Sequence, residues 1–121
     1  MPQPETVKIL VVDDVEKNLI AMDALLRRDG VEILKAPSGP AALELLLRHE
    51  VALALLDVQM PQMDGYELAE LMRGTERTRR VPIIFVTAVA TDERRRFRGY
   101  EAGAVDYLFK PVDPQIVRNK V

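Results

Sequence analysis

Five short apolar runs alternate along the chain with longer segments in which apolar residues recur at helical spacing. The runs are Lys8 to Val12, Val31 to Ala36, Ala52 to Leu56, Pro82 to Val86 and Val105 to Phe109. Leu10-Val11-Val12 and Ile83-Ile84-Phe85-Val86 show no polar alternation. A strand with one wet face would alternate, so these runs predict strands covered on both faces of a parallel sheet. The intervening segments, roughly Glu16 to Arg28, Gly39 to His49, Asp64 to Gly74 and Thr91 to Ala102, are each long enough for the helix that a parallel crossover needs. Helix punctuation agrees: Pro40 suits a first turn, Asp64 with Glu67 resembles a capping box, and Gly103 falls where a left-handed cap is common. The pattern predicts an α/β fold, a doubly wound five-stranded parallel sheet in strand order 2-1-3-4-5.

That topology makes a chemical prediction. Ligands of open α/β sheets bind beyond the carboxyl ends of the strands at the point where strand order reverses, here between the first and third strands. The residues at those ends are Asp13, Asp14 and Asp57. A single aspartate in such a place is more often a helix cap. Three together are costly, because each pair repels by about 1 kcal/mol at 4 Å in water and by more at lower dielectric. A hard divalent cation balances them, and Mg²⁺ takes one or two carboxylates, keeps waters and accepts phosphate oxygens. Thr87 closes the fourth strand and Lys110 the fifth, directly before Pro111. Alone, the first reads as a turn residue and the second as a solvated cation. With the acids they complete a crevice for metal and phosphoryl group, with a carboxylate as nucleophile.

Composition narrows the context. At 121 residues the chain is the size of one domain, and it has no cysteine, which excludes disulfides, thiolate zinc sites and thiol catalysis. A net charge of −2 offers no global attraction to nucleic acid. Met1 to Glu5 are polar and no run is long enough to span a bilayer, so the expectation is a cytoplasmic protein with no membrane partner.

Four strings carry a family resemblance: Ile9-Leu10-Val11-Val12-Asp13-Asp14; Leu55-Leu56-Asp57-Val58-Gln59-Met60-Pro61-Gln62-Met63-Asp64-Gly65; Pro82-Ile83-Ile84-Phe85-Val86-Thr87-Ala88; and Gly103-Ala104-Val105-Asp106-Tyr107-Leu108-Phe109-Lys110-Pro111. They resemble the response-regulator receiver domains of two-component signalling, of the chemotaxis receiver type, over essentially the whole chain. The resemblance implies a flavodoxin-like receiver fold over residues 1–121, with Asp57 as phosphoacceptor for a histidine kinase or phosphotransfer protein. It implies Mg²⁺ held by Asp14, Asp57 and the Gln59 backbone carbonyl, with Asp13 acting mainly through water. Thr87 and Lys110 would bind phosphoryl oxygens. Tyr107 would be the switch aromatic, turning inward as Thr87 moves, although a tyrosine half-buried at a sheet edge needs no such role. A cis Lys110-Pro111 bond is also implied. The expected activity is regulatory, with at most slow self-dephosphorylation.

The rival reading is an Mg²⁺-dependent aspartyl-phosphate phosphatase of the haloacid-dehalogenase type, but that family carries an acid two residues past its nucleophile, where Gln59 stands here. A flavodoxin-like cofactor binder would need a glycine- and hydroxyl-rich phosphate loop in place of Asp13-Asp14. A degenerate receiver would lack site residues that are all present. His49 is explained by the dipole at a helix end, and Met60 and Met63 by packing. Arg94, Arg95, Arg96 and Arg98 read first as a solvated helix face and second as a patch for a partner or nucleic acid.

The last segment, Asp113 to Val121, is short for the final helix of such a fold, spanning roughly 13 Å. Ile116, Val117 and Val121 are expected to turn one face to the sheet. The chain is expected to be a fragment of a longer response regulator or hybrid kinase with its output domain downstream. Self-association is expected through the surface of the fourth helical segment, the fifth strand and the last helix.

Overall fold

The structure, a computed structural model, describes residues 6–87, 104–109 and 113–120. Strands β1 (Val7–Val12), β2 (Val31–Ala36), β3 (Leu53–Asp57), β4 (Ile83–Thr87) and β5 (Ala104–Phe109) form one sheet in the order β2-β1-β3-β4-β5, every pair parallel. Helices α1 (Glu16–Leu26), α2 (Gly39–Arg48) and α3 (Gly65–Arg73) follow the first three strands, and a C-terminal helix occupies Pro114–Lys120. The predicted sheet, its order and a short last helix are therefore all present. The segment Thr91 to Ala102, its arginine run, Gly103 and the Lys110-Pro111 bond lie outside the described residues.

The sheet divides the apolar interior in two. On one side Leu10, Val12, Leu56 and Phe85 pack beneath α2 and α3, against Leu46, Leu68 and Met72. On the other, Ile9, Val11, Leu55 and Ile84 pack against Leu19, Met22 and Leu26 of α1 and Val117 of the C-terminal helix. Consecutive residues of β1, β3 and β4 thus enter opposite cores, which is why their sequences are apolar without alternation. Each fully buried leucine or isoleucine here contributes about 1.5–3 kcal/mol relative to an exposed one. At the edge, β2 keeps Glu32 and Lys35 exposed while Leu34 and Ala36 are buried.

The caps follow the local chemistry. Ser38 accepts from the Ala41 N–H at the start of α2, which has proline in its first turn, and Asp64 accepts from the Glu67 N–H at the start of α3. Helix α1 stops at Leu26, short of the expected Arg28: Arg27 is extended and its N–H returns to the Asp23 carbonyl, before Gly30 turns the chain at φ +80. Strand β3 runs one residue further than expected, because its ladder with β4 continues to Asp57 opposite Val86. The β4–β5 ladder carries one irregularity: Ile83 is level with Ala104 but Ile84 with Asp106, so Val105 is an extra residue, and Tyr107 is level with Phe85.

Two expectations need correction. Val117 is buried but Ile116 is 47% exposed, since neighbours on a helix point about 100° apart and cannot share one narrow contact with the sheet. His49, at the end of α2, has a specific partner: Lys8 Nζ lies 2.9 Å from its Nδ1. An ammonium only donates, so Nδ1 accepts, and this contact between β1 and the end of α2 adds to what the helix end offers.

Candidate metal and phosphoryl site

Asp13 and Asp57 meet because β1 and β3 are neighbours in register. Val11 is level with Leu55 and Val12 with Leu56, so continuing the ladder sets Asp13 beside Asp57. Asp14 follows in the loop to α1. One carboxylate oxygen from each of the three can be chosen so that all lie within 4.8 Å of one another. Asp13 and Asp57 are buried and Asp14 is exposed, so the crevice has two walled acids and one open to solvent.

Local hydrogen bonds orient the buried pair. Asp13 Oδ1 accepts from the Val15 N–H at 2.9 Å, an Asx turn that leads the chain away from the sheet into α1. Asp57 Oδ1 accepts from the Gln59 N–H at 3.3 Å. The loop after Asp57 is tightly folded: Met63 N–H donates to Pro61 O at 2.8 Å and Gly65 N–H to Val58 O at 3.0 Å. Gln62 takes a left-handed φ of 69. A Cβ placed on Gly65 would strike the Asp57 carbonyl oxygen, so α3 starts against the backbone of the acid itself. Met60 is buried and Met63 packs on the same core, as expected of packing residues.

Thr87, at the end of β4, is buried to 1% exposure. It shares a face with Phe85, two residues earlier on the same strand. Tyr107 is fully buried and not half-buried, at 5% exposure. Its hydroxyl lies 3.1 Å from that of Tyr66 on α3, also buried. Phe85 touches both rings, edge-on to Tyr66 at 4.8 Å between centroids and tilted against Tyr107 at 5.5 Å. Lys110 lies outside the described residues. Sequence reasoning missed Tyr66 and the close approach at Gly65; the Asp64-Gly65 pair after the acid was a usable signal for the latter, whereas nothing local marks Tyr66.

The donor set is oxygen only, with carboxylates of a spacing that one small hard cation can bridge, so Mg²⁺ suits it better than a softer metal. Among the described residues no helix is long and apolar enough to cross a membrane.

Comparison with known proteins agrees with the architecture. The family model for the response regulator receiver domain matches residues 9–121, and the chain belongs to that family, the receiver domains of two-component signalling. It is 40% identical over 107 residues to the response regulator PleD of Caulobacter vibrioides, covering 88% of this chain and 23% of that protein. It is 39% identical over 113 residues to a probable cyclic di-GMP phosphodiesterase of Vibrio cholerae, covering 93% of this chain and 25% of that protein. The chain thus spans about a quarter of the length of these relatives. Among solved structures, the chemotaxis protein CheY4 of Vibrio cholerae superposes with a TM-score of 0.89 at 27% identity, covering 95% of each chain. The receiver domain of the sensor histidine kinase PA1611 of Pseudomonas aeruginosa, which has a magnesium ion in its active-site cleft, superposes with a TM-score of 0.83 at 32% identity over 95% of this chain and 93% of that one.

Proposed function

We propose that this receiver domain is a phosphoryl-accepting switch in which Asp57 takes a phosphoryl group from the phosphohistidine of a histidine kinase or phosphotransfer protein. The observation that carries this reading is the approach of the Asp13, Asp14 and Asp57 carboxylate oxygens to within 4.8 Å at the carboxyl ends of β1 and β3. In the transfer a P–N bond of the donor breaks as an O–P bond to Asp57 forms. Asp14, Asp57 and the Gln59 carbonyl hold Mg²⁺, with Asp13 acting through water. The ion supplies positive charge against the carboxylates and the incoming phosphoryl oxygens. Thr87 and Lys110 receive those oxygens, and Tyr107 couples the modified site to the surface of β5, the segment before it and the C-terminal helix.

The domain regulates and does not turn over a substrate, beyond slow loss of its own phosphoryl group. Gln59 cannot act as a general acid or base, and the family match is to receivers, so a haloacid-dehalogenase type of phosphatase is not favoured. The output lies in a further domain of a longer polypeptide, a reading supported by the length of the relatives. A donor made from ATP makes the cytoplasm its compartment, and a second copy of the domain is a further partner. The test is intact-mass measurement after exposure to acetyl phosphate or phosphoramidate with Mg²⁺. One added phosphoryl group, absent in Asp57→Asn, is expected; labelling of the variant at the wild-type rate would remove Asp57 from its role.

A further inference from the structure

The tyrosine pair beneath the sheet carries an inference that rests on the switch role proposed for Tyr107. Two phenol hydroxyls, on α3 and β5 and separated by 41 residues, meet at 3.1 Å in the buried layer that also holds Phe85. A buried tyrosine hydroxyl needs its hydrogen bonds, since leaving one unmade costs more than the bond contributes when made. Were Tyr107 to leave this position, the Tyr66 hydroxyl would lose that contact. Tyr66 therefore favours the inward Tyr107. Phe85 adds to the bias, because its contact with Tyr107 is made only when that ring lies inward.

We infer that Tyr66 is a positioning residue of the switch: its hydroxyl holds Tyr107 inward, so the domain is biased toward its signalling conformation before any phosphoryl group arrives. Tyr66 touches neither phosphoryl group nor metal in this scheme. It acts through Tyr107, and its share of the bias is the hydroxyl–hydroxyl contact. By linkage, whatever favours the inward ring also strengthens binding of a phosphoryl mimic at Asp57, by the same factor.

The experiment uses the 121-residue chain labelled with 3-fluorotyrosine. Ring signals are followed by fluorine NMR without and with beryllofluoride and Mg²⁺ as the phosphoryl mimic, and signals are assigned by Tyr→Phe variants. In Tyr66→Phe the free protein should show the Tyr107 signal displaced toward a solvent-exposed position, and beryllofluoride should return it. The apparent affinity for beryllofluoride should fall about three- to tenfold, the equilibrium effect of one net hydrogen bond. In a Tyr107→Phe background the same Tyr66→Phe change should leave that affinity unaltered, which a general loss of packing would not do. A Tyr107 signal in Tyr66→Phe that stays where the wild type has it overturns the inference. A signal that moves but does not return, with bound beryllofluoride visible in its own resonance, overturns instead the switch role of Tyr107 and its coupling to the site.

Discussion

Gly65 sits against the carbonyl of Asp57, and the first turn of α3 begins where the backbone of the acid ends. An added methyl would meet the Asp57 carbonyl carbon at 3.0 Å and the Val58 Cα at 3.1 Å, all backbone that cannot swing aside. Gly65→Ala is therefore expected to cost about 1–3 kcal/mol of folding stability, as overpacking does. It should also slow phosphorylation by acetyl phosphate, because the loop that orients Asp57 must shift. Denaturant unfolding and the rate of mass gain check the two effects; a variant unchanged in both would show that the close approach has no consequence.

The acids should separate by role. Asp14 is exposed and proposed to coordinate directly, so Asp14→Ala should weaken Mg²⁺ binding by about tenfold or more, a loss of about 1.4 kcal/mol or greater. Asp13→Ala should weaken it less, and the loss of the acceptor for the Val15 N–H should offset the stabilisation that relieved repulsion in the acid cluster gives. Calorimetric Mg²⁺ titration with thermal melts distinguishes them. Equal metal affinity in the wild type and both variants would refute the assignment.

Crowded carboxylates also predict a metal-linked stability. Asp14→Asn removes one repelling charge and should stabilise the metal-free domain by about 1 kcal/mol. Wild-type protein should gain Tm as Mg²⁺ is raised, by mass action, and the variant should gain less. A wild-type melt indifferent to millimolar Mg²⁺ would contradict the site.

On the far side of α1, Asp23 accepts from Arg27 at 3.1 Å and from Lys35 at 2.8 Å. The Arg27 hydrogen bond, then that of Lys35, holds its carboxyl below the ordinary value of 3.8. A depressed folded pKa means stabilisation present above the unfolded value and lost as pH falls through the folded one. The contribution is thus intact at pH 7 and disappears below about pH 4. Both cations reach into solvent, so screening keeps it to about 0.5–1 kcal/mol. Asp23→Asn should lower stability by that amount at pH 7 and by progressively less toward pH 3; a gap that persists undiminished at pH 3 would assign the effect to packing.

Gln62 occupies the left-handed region at φ 69 without the freedom of glycine. Gln62→Gly should stabilise the domain by about 0.5–1 kcal/mol, the strain relieved exceeding the entropy glycine loses on folding. A lower unfolding midpoint in the variant would mean that the glutamine side chain contributes more than its backbone costs.

What the sequence disclosed was whatever depends on local pattern plus one topological rule. Uninterrupted apolar strands named the parallel sheet, and the reversal of strand order gathered Asp13, Asp14 and Asp57 before any distance was known. What stayed hidden depends on partners far along the chain. The propensity of Arg27 and Arg28 for helix hid the end of α1, where Arg27 instead turns extended and pairs with Asp23. Lys8 on β1 is a partner of His49 that the helix end does not reveal, and Tyr66 meets Tyr107 across the same separation of 41 residues. Ile116 was misassigned because this short helix turns Val117, and not its neighbour, against α1 and the sheet.

The extra residue in β5 turns the aromatic contact into a question of parity. With Val105 unpaired, Tyr107 falls opposite Phe85 and Leu108 opposite Val86, so the phenol joins one core and the leucine the other. A perfectly regular ladder through the same letters would set Tyr107 level with Val86, delivering its hydroxyl to the α1 side, where no tyrosine waits among the described residues. Inserting one residue between Val105 and Tyr107 is thus a far larger change than its size suggests, since the strand must either swell its irregularity or exchange its two faces. Removing Val105 is the gentler edit, because the surviving pairs can keep their partners.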